Sequence, residues 1–453
     1  MDVIVVGAGP VGLMLAAELR LWDLEVAVLE RLPAPTGFSK AGGLHARTAE
    51  CLDIRGLLGD LRKSHSRRVP LAHFAGIRKI RLDRLDTSRP DFVGIPQAEL
   101  EVFLEKRAVE LGAVILRGQE VVGLAQDGAS VRLSTMDGQT YGANYVVGCD
   151  GGRSVVRKLA GFSFDGCGPT LTGRLGDVSV PELHENPGLG WHRTSGGIMQ
   201  ITPARVVVVE FDGPPEDKPM TLDEFSSAVD RVAGRHVDIP AQPVWMSRFT
   251  DNTRLADDYR RGRVFLAGDA AHVHSPFGGQ GLNLGLQDAM NLGWKLAYAV
   301  RGQADLLDTY AVERRPVAER VLHNTRAQVA LMDPRPQVTP LREVFATMMD
   351  LPAVNTFLGE MISGLDVSYD CGGFAPMEVP REPFVTGRGV LLDATSDRTL
   401  LAAAEPWRDR VTALPGGVSM LVRPDGYVCW QPSAPTTLAA ALHQWFGKPR
   451  IPA

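Results

Sequence analysis

The N-terminal segment constrains the fold of this chain more than any other part of the sequence. Asp2 to Val6 is a short apolar run that predicts a buried β-strand, and Glu25 to Leu29 predicts a second one. Between them, Pro10 to Leu21 places its apolar residues on one helical face, which predicts an α-helix. Strand, helix and strand in this order predict a βαβ unit that opens a doubly wound α/β sheet.

A glycine-rich turn joins the first predicted strand to the first predicted helix. Gly7, Gly9 and Gly12 lie where the backbone can approach a pyrophosphate and the N-terminus of the helix can stabilise its negative charge. Glu30 ends the second predicted strand, 18 residues after Gly12, and offers a carboxylate to a ribose hydroxyl group. Arg31 follows it and is expected beside the same cofactor. The pattern predicts a Rossmann-like dinucleotide site and leaves the identity of the dinucleotide open.

The length and patterning of the chain predict three regions. At 453 residues it is too long for one ordinary hydrophobic core. Residues 1–170 and 255–385 are expected to form a discontinuous cofactor-binding domain, because a buried strand and two long helices return after the middle of the chain. Residues 171–254, with alternating strands and turns rich in Pro and Gly, predict an inserted α+β substrate domain. Residues 386–453 predict a small α/β appendage.

Charge and cysteine usage argue against several classes of protein. The formal net charge is −5 without a dense Lys or Arg run, which disfavours nucleic acid or an anionic membrane as the partner. The sequence has no apolar run that would span a bilayer and no signal-peptide pattern. No close pair occurs among the five cysteines, so a reducing, cytoplasmic location is expected. These cysteines are Cys51, Cys149, Cys167, Cys371 and Cys429.

Two further motifs resemble a known family. Asp150-Gly151 follows a predicted strand, and Gly268 to His272 is followed closely by Pro276 to Asn283. In sequence and in order, these segments resemble the second and third fingerprints of the para-hydroxybenzoate hydroxylase-like (group A) FAD-dependent aromatic monooxygenases. The resemblance covers nearly the whole chain. It implies that the dinucleotide is FAD and that the fold is α/β, with a Rossmann-like FAD-binding domain and an inserted α+β substrate domain.

The resemblance implies roles for residues of the third motif. Asp269 would accept hydrogen bonds from the ribityl chain of FAD. The flavin-reactive loop would act through its backbone at Pro276, Gly278 and Gly281. The helix that follows would place backbone N–H groups and a positive helix dipole beside the flavin, where reduced flavin carries negative charge. The residues expected there are Gly281, Leu282 and Asn283.

Other FAD contacts are implied by the resemblance alone. Arg47 resembles the arginine that binds the pyrophosphate, and Gln97 resembles the glutamine near the adenosine or ribityl portion. Lys40 stands where this family usually has arginine, so a bidentate contact would become a point-charge contact. Asp150 and Arg153 resemble the segment that serves both FAD and the passing NAD(P)H.

Candidate substrate contacts lie in the inserted region, although each of them is more often a core residue. They are Trp191, Met199, Phe211 and Trp245. His45 and Arg193 are further possible substrate contacts. His272 and His274 have an H-x-H spacing, but no cluster of Cys, Asp or Glu accompanies them, so no metal site is expected.

The C-terminal region resembles the degenerate thioredoxin-like domain at the end of aromatic polyketide hydroxylases and phenol hydroxylases, chiefly in Val422 to Val428. It has no C-x-x-C pair, because Cys371 and Cys429 are isolated, so a structural or interaction role is expected instead of redox exchange. The likeness extends to angucycline-type hydroxylases of antibiotic pathways. It implies a polycyclic aromatic substrate of the polyketide type.

The expected activity follows from the same resemblance. NADPH or NADH would reduce FAD and leave, and O₂ would add to form a flavin C4a-hydroperoxide that hydroxylates an electron-rich ring. Only one dinucleotide fingerprint occurs, so no second Rossmann domain is expected for the nicotinamide. Three alternatives stay open: a Baeyer–Villiger oxygenation of a polyketide ketone, an FAD-dependent dehydrogenase or halogenase, and a flavoprotein without catalysis. The expected assembly is a monomer or homodimer.

Overall fold

A six-stranded sheet forms the centre of the cofactor-binding region in the computed structural model. The structure describes residues 1–64, 68–69, 71–90, 92–215, 218–369, 372–375 and 379–450, so Cys371 lies outside the described residues. Five neighbouring strands are parallel, and the edge strand pairs antiparallel. In spatial order the strands are Arg260–Arg261, Val264–Leu266, Tyr145–Gly148, Val3–Val6, Val26–Glu30 and Val114–Arg117. The βαβ unit predicted from the sequence is confirmed.

Close helix packing brings the glycine-rich turn at Gly7 to Gly12 and the segment Pro276 to Asn283 together. Helix Pro10–Arg20 packs along helix Gln280–Val300. The approach depends on small residues, because a Cβ at Gly285 would lie 2.6 Å from Val11 and one at Gly293 would lie 2.6 Å from Glu18. The turn before the first helix and the loop before the second therefore lie on the same side of the sheet, at the carboxyl ends of the parallel strands.

Further helices and small sheets complete this region. A three-stranded meander occupies the place where short strands were predicted, with strands Val121–Gln126, Val131–Thr135 and Thr140–Ala143. The other short strands are Gly43–Leu44, Arg68–Val69, Leu71–Phe74, Ile77–Arg81, Phe92–Gly94, Phe164–Cys167, Thr253–Ala256 and His272–Val273. The other helices of this region are Ala46–Ile54, Leu58–Ser64, Gln97–Glu110, Val155–Leu159, Asp308–Met332, Val338–Met348, Pro352–Ser363 and Glu382–Val385, and the short helix Pro181–Leu183 belongs to the inserted region.

A five-stranded antiparallel sheet forms the inserted region. In spatial order its strands are Gly190–Thr194, Gly197–Thr202, Arg205–Glu210, Thr172–Gly176 and Met246–Thr250. Helix Leu222–Ala233 covers one face, and its side chains form a separate apolar cluster with that face. The opposite face packs against Phe277 and against residues of the helices Asp308–Met332 and Pro352–Ser363. Alternate residues of each strand therefore face the cofactor-binding region.

The C-terminal region is a four-stranded mixed sheet with helices. Strands Gly389–Asp393 and Val411–Pro415 pair in parallel, and Met420–Val422 and Val428–Trp430 complete the sheet antiparallel. Helices Thr399–Ala404 and Leu438–Phe446 accompany it. The predicted α/β fold class, with a Rossmann-like sheet, an inserted α+β region and a C-terminal α/β region, is confirmed. Among the described residues, no helix is long and apolar enough to cross a membrane.

Candidate active site

The glycine turn has the geometry of a phosphate-binding turn. Gly7 has φ +108°, and a Cβ on Gly7 would overlap the carbonyl oxygen of Cys149. A Cβ on Gly12 would overlap the carbonyl oxygen of Gly7, so both positions require glycine for packing. A Cβ on Gly9 would instead meet open space, at the N-terminus of a helix without a side-chain cap or an acidic residue in its first turn. The unpaired N–H groups there are free to receive an anionic group.

Backbone donors hold the Glu30 carboxylate beside this turn. Its Oε2 accepts a hydrogen bond from the backbone N of Ala8 at 2.8 Å, and its Oε1 accepts one from Leu32 at 2.9 Å. The carboxylate is therefore placed at the carboxyl end of its strand, next to the open N-terminus of the first helix. Arg31 is exposed to solvent.

Asp269 lies in a single helical turn, Gly268 to Ala270, directly after the strand Val264–Leu266. Gly268 has φ +62°, and a Cβ there would lie 3.0 Å from Val11 of the first helix. The Asp269 side chain is exposed and accepts no hydrogen bond from the described residues. A carboxylate without a hydrogen-bond partner in the described part of the chain, at the tip of a buried strand, is available to the hydroxyl groups of a ligand.

The segment Pro276–Gly279, which we call the glycine loop, leads into helix Gln280–Val300. Gly278 and Gly279 have φ +85° and +64°, values that favour glycine. Gly279 caps the helix without a side-chain hydrogen bond, and the first turn contains no acidic residue, so its N–H groups are open. Pro276 is exposed, and Gly281 and Leu282 are half-buried.

Asn283 and His45 fix the glycine loop. The Asn283 amide donates to the carbonyl oxygen of Gly279 at 2.9 Å and accepts from the backbone N of His45 at 2.8 Å. His45 Nε2 lies 2.8 Å from the carbonyl oxygen of Gly278, which can only accept, so Nε2 carries the proton. Burial lowers the pKa of His45, which keeps the ring neutral. His45 thus contacts the loop from a position 233 residues earlier in the chain.

A chain of buried amides holds the glycine loop from the other side. Gln328 accepts from the backbone N of Ala75 at 3.1 Å and donates to Asn324 at 2.9 Å. Asn324 donates to Gln280 at 2.7 Å. Gln328 lies close to Gly278, because a Cβ on Gly278 would be 2.9 Å from the amide nitrogen of Gln328. The sequence gives no sign of these roles for Gln328 and Asn324, because isolated amides in a long helix carry no local signal of their partners.

Aromatic side chains of the inserted sheet face the glycine loop. Trp191 meets the Phe277 ring edge-on at 5.9 Å and the His73 ring at 5.0 Å. Phe211 and Trp245 pack against the same apolar cluster as Phe277. Three of the four candidate substrate contacts therefore lie on the sheet face nearest the loop.

Met199, the fourth residue predicted to contact substrate, lies on the other face of the sheet. Met199 is 1% exposed and packs on the opposite face of the sheet, against Phe225 and Val229 of the covering helix. The reason is the two-residue period of a strand, which turns Ile198 toward the cofactor-binding region and its neighbour away from it. Arg193, a further candidate, donates to the carbonyl oxygen of Asp333 at 3.0 Å and so joins this sheet to the end of a helix.

Arg47 has a different surrounding from the one expected for a pyrophosphate ligand. Its guanidinium pairs with Glu50 at 2.6 Å, donates to the carbonyl oxygens of Gly364 and Leu365, and lies 4.3 Å from the centre of the Phe374 ring. It is 5% exposed, and the contacts that the structure gives it are within the protein. These contacts join helix Ala46–Ile54 to the segment before the C-terminal region.

Gln97, Asp150 and Lys40 also have defined surroundings. The Gln97 amide donates to Glu101 at 2.8 Å. Asp150 accepts from Ser154 at 2.5 Å and from two backbone N–H groups of the helix Val155–Leu159, and burial raises its pKa. Lys40 is exposed, and its loop is fixed by Phe38, which stacks on Trp245 at 5.3 Å.

Arg153 is exposed as well. The free cysteines of the described part are Cys51, Cys149, Cys167 and Cys429. No group of three or more His, Cys, Asp or Glu side chains in this part is arranged to hold a metal ion.

The residues present fit FAD. Two open helix N-termini, a space beside Gly9 that a Cβ would enter, and the Asp269 carboxylate, which has no hydrogen-bond partner in the ranges that the structure describes, lie at the carboxyl ends of the parallel strands. The fold and these segments together define an FAD-binding oxidoreductase.

Comparison with known proteins gives the family. A family model described as an FAD binding domain matches residues 1–325, and one described as the C-terminal part of aromatic-ring hydroxylases matches residues 359–449. The chain therefore belongs to the FAD-dependent aromatic-ring hydroxylases and is a flavoprotein monooxygenase. The resemblance stated from the sequence is confirmed.

Three relatives illustrate the range of the family. The 12-dehydrotetracycline 5-monooxygenase/anhydrotetracycline 6-monooxygenase of Streptomyces rimosus is 42% identical over 504 residues, covering 99% of both chains. A dialkyldecalin synthase of Streptomyces rugosporus is 38% identical over 473 residues, covering 98% of both. The solved structure of CabE, an aromatic hydroxylase from angucycline biosynthesis, matches with a TM-score of 0.90 and 37% identity over 99% of each chain.

Proposed function

We propose that this protein hydroxylates a polycyclic aromatic substrate of the polyketide type in an antibiotic pathway. The observation that carries the proposal is the position of Trp191, which contacts Phe277 of the glycine loop from the inserted sheet. This contact gives the loop an aromatic wall suited to a flat, apolar ring system. Similarity over full length to monooxygenases and hydroxylases of tetracycline and angucycline compounds supports the same substrate class.

The reaction that we propose is balanced by one nicotinamide and one O₂. When bound, FAD takes two electrons from NADPH or NADH and uses them to activate O₂. One oxygen atom enters a C–H bond of the substrate ring, and the other leaves as water. The protein binds FAD and the substrate, excludes water and holds the substrate ring near the glycine loop. The apolar surroundings of this loop agree with that role.

The proposed cofactor contacts follow the geometry described above. The N-terminal turn would receive the pyrophosphate at Gly9, with Gly7 and Gly12 providing its shape, and Glu30 would receive the adenosine ribose. Asp269 would bind the ribityl chain. The backbone of the glycine loop and of Gly281 to Asn283 would face the flavin, with Pro276 near the reacting edge. We further propose a domain division at 1–170 with 255–385, 171–254 and 386–453.

Other residues are assigned less direct roles in this proposal. Arg47 positions its helix instead of binding the pyrophosphate, because its guanidinium is held by Glu50 and two carbonyl groups. Lys40, Gln97 and Arg31 lie at the periphery of the cofactor, and Asp150 shapes the segment along which the nicotinamide approaches.

Substrate-stimulated oxidation of NADPH under ¹⁸O₂ tests the proposal. We expect one ¹⁸O atom per substrate as a new hydroxyl group, with a tetracyclic or angular polyketide phenol as the probe. A product with ¹⁸O in an ester or lactone would indicate a Baeyer–Villiger reaction. Substrate conversion without O₂ consumption would contradict the proposal and favour a dehydrogenase.

A further inference from the structure

A buried arginine of the C-terminal region is bound to the FAD-binding region. Arg423 is 1% exposed and pairs with Asp425 at 2.5 Å in its own turn. It also donates to both carboxylate oxygens of Glu313, at 2.6 and 2.8 Å, in helix Asp308–Met332. Trp294 and Trp445 enclose the guanidinium, with ring centres at 5.3 and 4.7 Å. Because both charges are removed from water, the contact is specific in geometry. Removal of one partner would leave the other charge buried and unpaired, which is costly.

Arg314, the next residue of the same helix, contacts residues nearer to the proposed FAD site. Arg314 lies beside Glu313 and is fully buried. Its Nε donates to Asp288 at 2.8 Å, and another nitrogen donates to the hydroxyl oxygen of Tyr369 at 3.1 Å. The Tyr369 ring in turn contacts the ring of Tyr427, whose centre is 4.4 Å away in the C-terminal region. Two routes therefore connect the C-terminal region to Asp288.

Asp288 ends this network at the turn that carries Asp269. Its Oδ2 accepts from the backbone N of Gly268 at 3.1 Å and from His272 at 2.7 Å. Burial acts to raise the pKa of Asp288, but the charge of Arg314 and the hydrogen bond with His272 outweigh it and hold the pKa below its usual range. The ionised carboxylate thus fixes the turn from inside the protein, while the Asp269 side chain points to the open side.

We propose that the C-terminal domain is a positioning element for FAD, acting from Arg423 and Tyr427 through Tyr369, Arg314 and Asp288 on the Gly268–Asp269 turn. The inference rests on the proposed binding of the ribityl chain at Asp269. It assigns a role to a domain that has no C-x-x-C pair of its own. Each step is a direct contact, and all of these side chains except the half-buried Tyr369 are buried, so a change in the C-terminal region alters the turn without touching the cofactor.

A matched pair of hydroxyl deletions tests the inference in the full-length protein. Tyr369→Phe removes the oxygen that accepts from Arg314, whereas the Tyr298 hydroxyl is buried and has no hydrogen-bond partner among the described residues. We expect Tyr369→Phe to raise the Kd of FAD about three- to tenfold. Tyr298→Phe should stay within about twofold of wild type. Flavin fluorescence during reconstitution of apoprotein gives the Kd, and the thermal midpoint of the apoprotein reports the fold.

A double-mutant cycle then asks whether the C-terminal contact acts through Asp288. Glu313→Gln should weaken FAD binding in the wild-type protein and have much less effect when Asp288→Asn is already present. If the two fold-changes in Kd simply multiply, or if Tyr369→Phe and Tyr298→Phe have the same Kd, the inference is overturned. Asp269→Ala distinguishes a failure of the proposed function from a failure of the inference. Unchanged FAD binding in Asp269→Ala refutes the proposed ribityl contact itself. Lost FAD binding in Asp269→Ala, together with a wild-type Kd of FAD in Tyr369→Phe, refutes the inference alone.

Discussion

Replacement of Asp269 by alanine separates a cofactor contact from a structural one. The carboxylate is exposed and has no hydrogen-bond partner among the described residues, so its removal breaks no hydrogen bond that the structure gives to the apoprotein. In the proposed complex, however, it accepts hydrogen bonds from ribityl hydroxyl groups. A hydrogen bond to a charged group contributes about 1.5 to 3 kcal/mol. The Kd of FAD should therefore rise about 10- to 150-fold.

The assay compares FAD binding with stability. Apoprotein of Asp269→Ala and of a control, Asp212→Ala, is titrated with FAD by flavin fluorescence, and Asp212 is an equally exposed aspartate of the inserted region. We expect the control to bind FAD like wild type and both apoproteins to melt within about 2 °C of wild type. An Asp269→Ala protein that keeps its FAD through gel filtration, with a Kd within about twofold of wild type, would refute the reasoning.

Three further predictions follow from the geometry. Gly12→Ala places a Cβ against a backbone carbonyl group and should lower the thermal midpoint of the apoprotein, whereas Gly9→Ala enters open space and should weaken FAD binding with little change in that midpoint. His73 and His274 have pKa values lowered by burial from 6.5 to about 4, so the unfolded chain takes up protons first. Stability should be full above pH 6.5 and fall between pH 6.5 and 4, by about 3 kcal/mol for each of the two histidines in urea unfolding, and a flat profile would contradict this. Trp191→Ala should raise the KM for the aromatic substrate about tenfold or more and leave the Kd of FAD unchanged, and equal KM values would remove Trp191 from the substrate site.

Local patterns were sufficient for the motifs of the proposed cofactor site. The strand–turn–helix at Gly7 to Gly12 depends on apolar periodicity and on glycine at positions where a side chain would overlap the backbone, and both are visible in the chain itself. The same holds for Asp269, which directly follows a buried strand. The Asp269 carboxylate is exposed in the structure, in agreement with the position of this charged residue at the end of an apolar run.

Partners that are far apart in the chain escaped sequence analysis. His45 was only a possible substrate contact, and the structure places it on the carbonyl group of Gly278. The one local signal is its position at the N-terminus of the helix that carries Arg47, which reveals nothing about a partner in another segment. Arg47 itself resembled a phosphate ligand, but its guanidinium is buried and pairs with Glu50.

The sequence by itself determined the class of fold, the order of the cofactor segments and the positions that must be glycine, because each depends on neighbours within a few residues. Only the tertiary structure decided which strand face meets the glycine loop, since a shift of one residue separates Ile198 from Met199. It also decided that Arg423 reaches Glu313 and that Arg314 reaches Asp288. Such buried charges find their partners through the packing of distant elements, and no local pattern encodes that packing.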